Sequence, residues 1–113
     1  MIVEEIWDNV DASSQQISSP VVIGCGQDAR ILIQITRDNT DGDPKVFLEE
    51  TVNDTIWSCV PNYLETDQGF PIDEDVVAIR DSYFMGKSIR LRLEPNGNTT
   101  GTISAMVAIK TKV

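Results

Sequence analysis

Apolar and polar residues alternate with a period of two along much of this chain. Near its end, Ile89, Leu91 and Leu93 alternate with charged residues, and from 103 to 109 the apolar set again falls on odd numbers. Alternation of this kind places one face of a β-strand on a core and the other toward solvent. Because both runs are apolar at odd numbers and PNGNTTG separates them, they predict a terminal hairpin with Leu91 opposite Ala105.

Shorter alternating or apolar runs predict further strands upstream. RILIQIT, KVFLEET and IWSCV predict a three-stranded meander over residues 30–60, with turns at DNTDGDP and NDT. QQISSPVVIG, EEIWDNV and VVAIRDSYF add three short candidates, the first with an edge or bulge at Pro20. Six to eight short strands with turns between them, and no long helix, predict an all-β, single-domain antiparallel β-sandwich over residues 1–113. The expected arrangement is jelly-roll or Greek-key-like.

The bulk composition narrows the classes of partner. The chain has 113 residues, 41% hydrophobic and 24% charged, which is typical of one globular domain with its own core. No apolar run has the length of a membrane span, and the acidic start does not resemble an export signal, so we expect the protein to stay in a cytoplasm. A net charge of −9 disfavours nucleic acid and anionic membranes as partners.

The charge is unevenly distributed along the chain. Residues 1–79 hold 16 acids and 3 bases, whereas residues 80–113 hold 6 bases and 2 acids. The interpretation that we favour is that the two parts lie in one sheet and neutralise each other. The alternative is a polar molecule that docks head to tail, or on a surface of opposite sign.

The residue types argue against catalysis and against a cofactor. The chain contains no His, which removes Ser-His and Cys-His nucleophile pairs, His-containing zinc sites and the commonest general base. Asp73, Glu74 and Asp75 could supply a pair of carboxylates that work as acid and base, but neighbours on a strand point to opposite faces. We therefore interpret these three residues as a solvated acidic loop. Cys25 and Cys59 are expected to be reduced, although a bridge between them stays open.

Two clusters are candidate binding sites. Asp38, Asp41 and Asp43 have the residue types of a calcium loop but not the spacing of an EF-hand, so we favour a tight turn over a cation site. The four residues Trp7, Trp57, Tyr63 and Tyr83 are either a platform for sugar rings or ordinary core and interface anchors.

The first twelve residues form a separate candidate. They carry Ile2, Val3, Ile6 and Trp7 together with four acids and no base. Such a segment is predicted to be an N-terminal arm, with Trp7 as an exposed anchor and these four residues as the contacts to a partner.

The layout resembles that of small β-sandwich virion proteins of tailed bacteriophages. The resemblance covers about residues 13–110 and rests on EETVNDTIW, IRLRL and TTGTISAMVAIK, including Lys110. In that group a polar turn leads to a Trp, and the chain closes with a hydrophobic-Arg-hydrophobic strand, a polar turn, Gly-Thr and a small-residue strand. Residues 51–55 depart from it, since the group often has a Ser-Asn-Asp-Gly turn there.

The resemblance implies a non-enzymatic role in a virion assembled in the host cytoplasm, without catalytic residues. Capsid decoration or cementing, through binding to the major capsid protein, is the first expectation. A neck, tail or fibre component, or a carbohydrate-binding module displayed on the virion, is the alternative. Other virion proteins or a homo-oligomer remain open as partners, as do the copy number and any glycan ligand.

Overall fold

The structure, a computed structural model, describes residues 2–23, 29–60, 69–81 and 87–111. Within these residues there are ten β-strands and no helix, and therefore no helix that is long and apolar enough to cross a membrane. The all-β class predicted from the alternation is confirmed. In chain order the strands are β1 (Ile2–Asp11), β2 (Gln16–Ile17), β3 (Val21–Val22), β4 (Ala29–Asp38), β5 (Lys45–Thr51), β6 (Ser58–Cys59), β7 (Phe70–Pro71), β8 (Val76–Asp81), β9 (Ser88–Glu94) and β10 (Thr102–Thr111).

Two antiparallel sheets pack face to face. Sheet A has the order β1-β10-β4-β8, and sheet B has the order β2-β9-β5-β6, with β3 also paired to β9 and β7 to β5. The chain alternates between the sheets, because the strands that separate β1, β4, β8 and β10 all belong to sheet B. This is the arrangement of a jelly roll, in which β2 with β3 forms one edge of sheet B and β6 with β7 the other.

The core lies between the two inner faces. Its residues come from alternate positions of the long strands, as a period of two requires, and the odd-numbered faces predicted for the last two strands are confirmed as buried. The largest fully buried side chains include Ile33, Ile35, Val46, Leu48, Ile72, Ile79, Ile89, Leu91, Leu93, Ile103 and Val107.

The predicted terminal hairpin is wrong. Strand β9 lies in sheet B, where Leu91 is opposite Leu48, and strand β10 lies in sheet A, where Ala105 is opposite Ile35. The two odd-numbered faces meet across the core instead of sharing a sheet. Alternation shows which face of a strand is buried, but two strands bury the same faces whether they lie side by side or stack.

The predicted meander over residues 30–60 is wrong for the same reason. Strand β4 belongs to sheet A and β5 to sheet B, so the DNTDGDP segment crosses between the sheets. Of the two adjacent pairings expected there, the described residues contain only that of β5 with β6.

The expected N-terminal arm is strand β1, which pairs with β10 from Ile2 opposite Ile109 to Asp11 opposite Thr102. The register shifts on each side of Trp7, which faces Ala105 and is only 5% exposed. The prediction of an exposed Trp7 anchor is therefore wrong. The two shifts break the period of two, and the small side chain of Ala105 leaves space for the indole.

Candidate functional site

Four connections described by the structure meet at one end of the sandwich, at residues 12–15, 39–44, 72–75 and 95–101. Backbone hydrogen bonds join them in pairs. The N–H of Ala12 donates to the carbonyl of Gly101 at 3.0 Å, and the N–H of Ile72 donates to the carbonyl of Pro44 at 2.8 Å. This end, hereafter the acidic end, is thus held as one unit.

Asn98 is the centre of this end. Its side-chain oxygen accepts the N–H groups of Asp41 and Gly42 at 3.0 and 2.9 Å, and its amide nitrogen donates to the carbonyls of Ala12 and Thr100 at 2.9 and 2.7 Å. The side chain is 2% exposed. A buried amide with all four bonds made fixes three loops relative to each other.

Two further residues fix the same loops. Gly101 has a φ of +88°, and a Cβ there would lie 2.4 Å from the carbonyl oxygen of Asp38, so this close approach needs glycine. The carboxylate of Asp41 accepts the hydroxyl and, at 2.7 Å, the N–H of Thr99. These hydrogen bonds hold the pKa of Asp41 below its ordinary value.

Arg37 connects the remaining loop to strand β4. Its guanidinium lies 3.1 Å from Asp43 and 3.5 Å from Asp75, and it donates to the carbonyl of Ile72 at 2.9 Å. The carboxylates of this region therefore bind loop atoms and one arginine.

The three aspartates that were considered as a cation site make separate contacts. Asp41 binds Thr99, Asp43 binds Arg37, and Asp38 lies exposed at the end of β4. The described residues contain no group of three side chains placed to hold a metal ion. What remains is a surface of negative charge, formed by the exposed side chains of Asp8, Asp11, Asp38, Asp41, Asp43, Asp73, Glu74 and Asp75.

The middle of the outer face of sheet B, on β5 and β9, is covered by its own paired side chains, whereas Ile17 and Val22 on the edge strands β2 and β3 are exposed. Glu49 is 7% exposed and lies 2.9 Å from Nε of Arg90 and 3.4 Å from Nε of Arg92. Arg92 also contacts Glu94 at 2.6 Å, and Gln15 donates to the same carboxylate oxygen at 2.6 Å. Those two hydrogen bonds, that of Gln15 first, lower the pKa of Glu94.

Two aromatic rings complete this network. The guanidinium of Arg90 lies 4.2 Å from the ring centre of Trp57, and that of Arg92 lies 4.1 Å from the ring centre of Phe47. Cys59, a free thiol, lies beside Glu49 at 3.9 Å. Each of these two rings therefore has one face covered by an arginine.

The sequence also singled out other aromatic residues and another cysteine as candidates. Trp7 belongs to the core, whereas Trp57 is partly exposed with one face covered by Arg90, so the two tryptophans do not form a shared platform for a sugar. Tyr63, Tyr83 and Cys25 lie outside the described residues.

The outer face of sheet A differs in character. Its middle rows carry exposed or half-exposed apolar side chains, namely Val3, Leu32, Val76, Ala78, Met106 and Ala108, together with the exposed Glu5 and Gln34 on either side of Met106. The register connects them, since Val3 is opposite Ala108, which is opposite Leu32 on the other side. An exposed apolar centre with a polar surround is typical of a protein interaction surface.

Basic residues gather at one end of this face. Arg30, Arg80 and Lys110 are exposed, and Arg30 is the direct register partner of Lys110. Within the described parts of the chain these three bases form no ion pair. Like charges directly opposite each other in a sheet are unfavourable, so an anionic partner would stabilise this end.

The predicted contact residues divide between surface and interior. Ile2 and Val3 are exposed, 56% and 58% respectively, at the beginning of the edge strand β1. Ile6 is partly buried against the core, and Trp7 is inside it. Only Ile2 and Val3 are therefore placed to contact a partner directly.

Other important residues were missed by sequence reasoning. Asn98 carried no signal beyond its place in a turn, and the burial of Glu49 depends on strands that are distant in sequence.

Searches with models of known protein families and among curated protein sequences found no match to this chain.

Proposed function

We propose that this chain is a non-enzymatic structural protein of a tailed-phage virion, and that it decorates the capsid by binding the major capsid protein. The sequence resemblance over residues 13–110 supports this role. The jelly-roll arrangement is compatible with it, since viral capsid domains and lectin domains share that architecture.

The observation that carries the proposal is the edge strand β1. Its first four residues, Ile2 to Glu5, are all exposed, and sheet A pairs it on one side only, with β10, among the described strands. An open edge of this kind accepts a strand of another protein, with backbone hydrogen bonds for affinity and side chains for specificity. Two glutamates beside two aliphatic residues suit a partner surface that is apolar and basic.

The acidic end supports the same role. Its loops are tied together by Asn98, Gly101 and Arg37, so it presents carboxylates from a rigid scaffold. Rigid surfaces lose little conformational entropy on binding, which favours a permanent structural contact.

Binding to capsids tests the contact. The double variant Ile2→Asp with Val3→Asp should lose most of its binding to purified capsids, because it places carboxylates in the apolar part of the edge. The matched control is Val22→Asp, which changes a residue that is 66% exposed on sheet B. Equal loss in both variants, or binding retained in the double variant, would contradict attachment through β1.

Quantitative mass spectrometry of purified virions tests the location. A copy number comparable to that of the major capsid protein is expected for decoration. A far smaller number would assign the protein to the neck, tail or fibre instead, and its absence from virions would overturn the proposal.

A further inference from the structure

The outer face of sheet A is arranged symmetrically about its own centre. On β4, Arg30 and Asp38 lie four residues before and four residues after Gln34, and all three side chains are on the outer face. Gln34 is the register partner of Met106 on β10. The face therefore has a basic end, an acidic end, and a middle row formed by Ala78, Gln34, Met106 and, on the edge strand β1, the exposed Glu5.

Strand β10 repeats this pattern. Lys110 and Thr102 lie four residues on either side of Met106, and Thr102 lies between Asp11 on β1 and Asp38 on β4. Lys110 thus has an acidic counterpart at the opposite end of the same face.

We propose that this face binds the same face of a second copy of the chain, with the strands of the two copies running in opposite directions. A twofold axis that crosses the strands at Gln34 and Met106 places Arg30 of each copy opposite Asp38 of the other. The same axis places Lys110 opposite Thr102 with its two flanking aspartates, and it brings Glu5 of the two copies together at the β1 edge of the contact, so four pairs of opposite charge stand against one like-charge contact. Such a contact is isologous and closes after two copies, and aligned packing of twisted sheets accommodates it.

The charges select this arrangement over the other face-to-face pairing. An axis parallel to the strands would place Arg30 of one copy against Lys110 of the other, and two like-charged ends would meet. The crossing axis instead relieves the unfavourable pairing of Arg30 with Lys110 within each copy by adding carboxylates beside them.

The outer face of sheet B does not offer the same possibility. Its arginines are already bound to Glu49 and Glu94 and stacked on Phe47 and Trp57. Binding there would have to break contacts before it made new ones.

The area of this face indicates how strongly two copies of the chain would associate. Four strands spaced at about 4.8 Å, with an average length of about 30 Å, cover roughly 570 Å². A standard stable interface covers about 800 Å² per partner. Self-association is therefore expected to be weak, to depend on protein concentration, and to weaken in high salt because the charges lie at the rim.

Sedimentation velocity of the full chain over a wide concentration range, in low and high salt, tests the inference. The wild type is expected to shift from monomer toward dimer with concentration, and less so in high salt. Met106→Glu is expected to raise the dissociation constant at least about tenfold. The control Val22→Glu, on sheet B, should behave as the wild type.

A charge-swap cycle tests the pairing itself and does not depend on the central substitution. Arg30→Glu and Asp38→Arg should each weaken the dimer, and the double variant should recover it, because both symmetric pairs are then reversed. Circular dichroism of each variant verifies that it is folded.

A wild type that stays monomeric at all concentrations would overturn the inference, as would a double variant no better than the singles. A monomeric wild type combined with loss of capsid binding in Met106→Glu would assign this face to another virion protein and not to a second copy. The inference concerns the isolated chain, so it stands or falls independently of the virion role.

Discussion

The two outer faces of the sandwich use their charged side chains in opposite ways. On sheet B, Arg90 is the register partner of Glu49, and the two form an ion pair at 2.9 Å. On sheet A, the register partners of Arg80 and Arg30 are Leu32 and Lys110, and neither arginine is paired among the described residues. Cross-strand neighbours thus decide whether a face is closed on itself or open to a partner.

Because of this difference, arginine has a different role on each sheet. An arginine of sheet B is partly buried, holds a buried carboxylate and covers an aromatic ring, so it contributes to folding. An arginine of sheet A is solvated, so its charge is available for binding. Substitutions on the two sheets test this contrast.

Deletion of residues 1–10 tests whether strand β1, at the edge of sheet A, is required for the fold. The deletion removes the long pairing of β1 with β10 and the buried Trp7. Loss of a buried Trp side chain alone costs about 3–5 kcal/mol, against a typical total stability of about 5–15 kcal/mol. We expect the truncated protein to melt far below the wild type or to be unfolded, as measured by circular dichroism. An unchanged melting temperature would restore the interpretation of residues 1–12 as an arm.

Charge reversal at matched arginines compares the faces directly. Arg92→Asp places a carboxylate beside the buried Glu49 and removes the stack on Phe47, so we expect a loss of about 2–4 kcal/mol in the free energy of unfolding. Arg80→Asp on sheet A should change it by less than about 0.5 kcal/mol. Urea denaturation measures both, and similar losses would show that sheet B is not closed in the way described.

Apolar truncation provides a second matched pair. Phe47→Ala removes a half-buried ring that contacts Gly69 and Arg92, and we expect it to cost about 2 kcal/mol, less than full burial would imply. Leu32→Ala on sheet A should cost less than about 1 kcal/mol, since its side chain is already partly solvated. If Leu32→Ala were the more destabilising, the apolar centre of sheet A would belong to the fold and not to an interface.

Acid sensitivity gives the smallest effect. The pKa of Glu94 is lowered in the folded state by Gln15 and Arg92, whereas an unfolded Glu has a pKa of about 4.3. Its stabilising contribution is therefore complete above the unfolded pKa and is lost as the pH falls through the folded pKa. Gln15→Ala should raise the pKa of Glu94 and flatten this part of the profile of stability against pH. An unchanged NMR titration of Glu94 in that variant would contradict the assigned cause.

Much of the fold was predictable from residue pattern alone. The alternation at Ile89, Leu91 and Leu93 identified the buried face of β9, and the same pattern identified that of β10. The strand class and the positions of the connections at DNTDGDP and PNGNTTG follow from local chemistry, although both connections join strands of different sheets and not the hairpins that were predicted. Each of these properties depends on residues within a few positions of each other.

The sites were less predictable, for a physical reason that particular residues illustrate. Trp7 looked like an exposed anchor because its neighbours are acids, but two register shifts turn it toward Ala105 and leave the acids in water. Asn98 looked like a turn residue, yet its four hydrogen bonds reach three loops. Local sequence does not contain the partners that decide either outcome.

Which side of each long strand is buried follows from the amino-acid sequence, because a period of two is a property of consecutive residues. Which strands are neighbours depends on contacts between distant segments, because strands beside each other and strands stacked across the core bury the same faces. That choice sets Glu49 beside two arginines on sheet B and leaves Arg30 beside Lys110 on sheet A. Among the described residues, both the paired centre of sheet B and the unpaired bases of sheet A follow from this choice of neighbours.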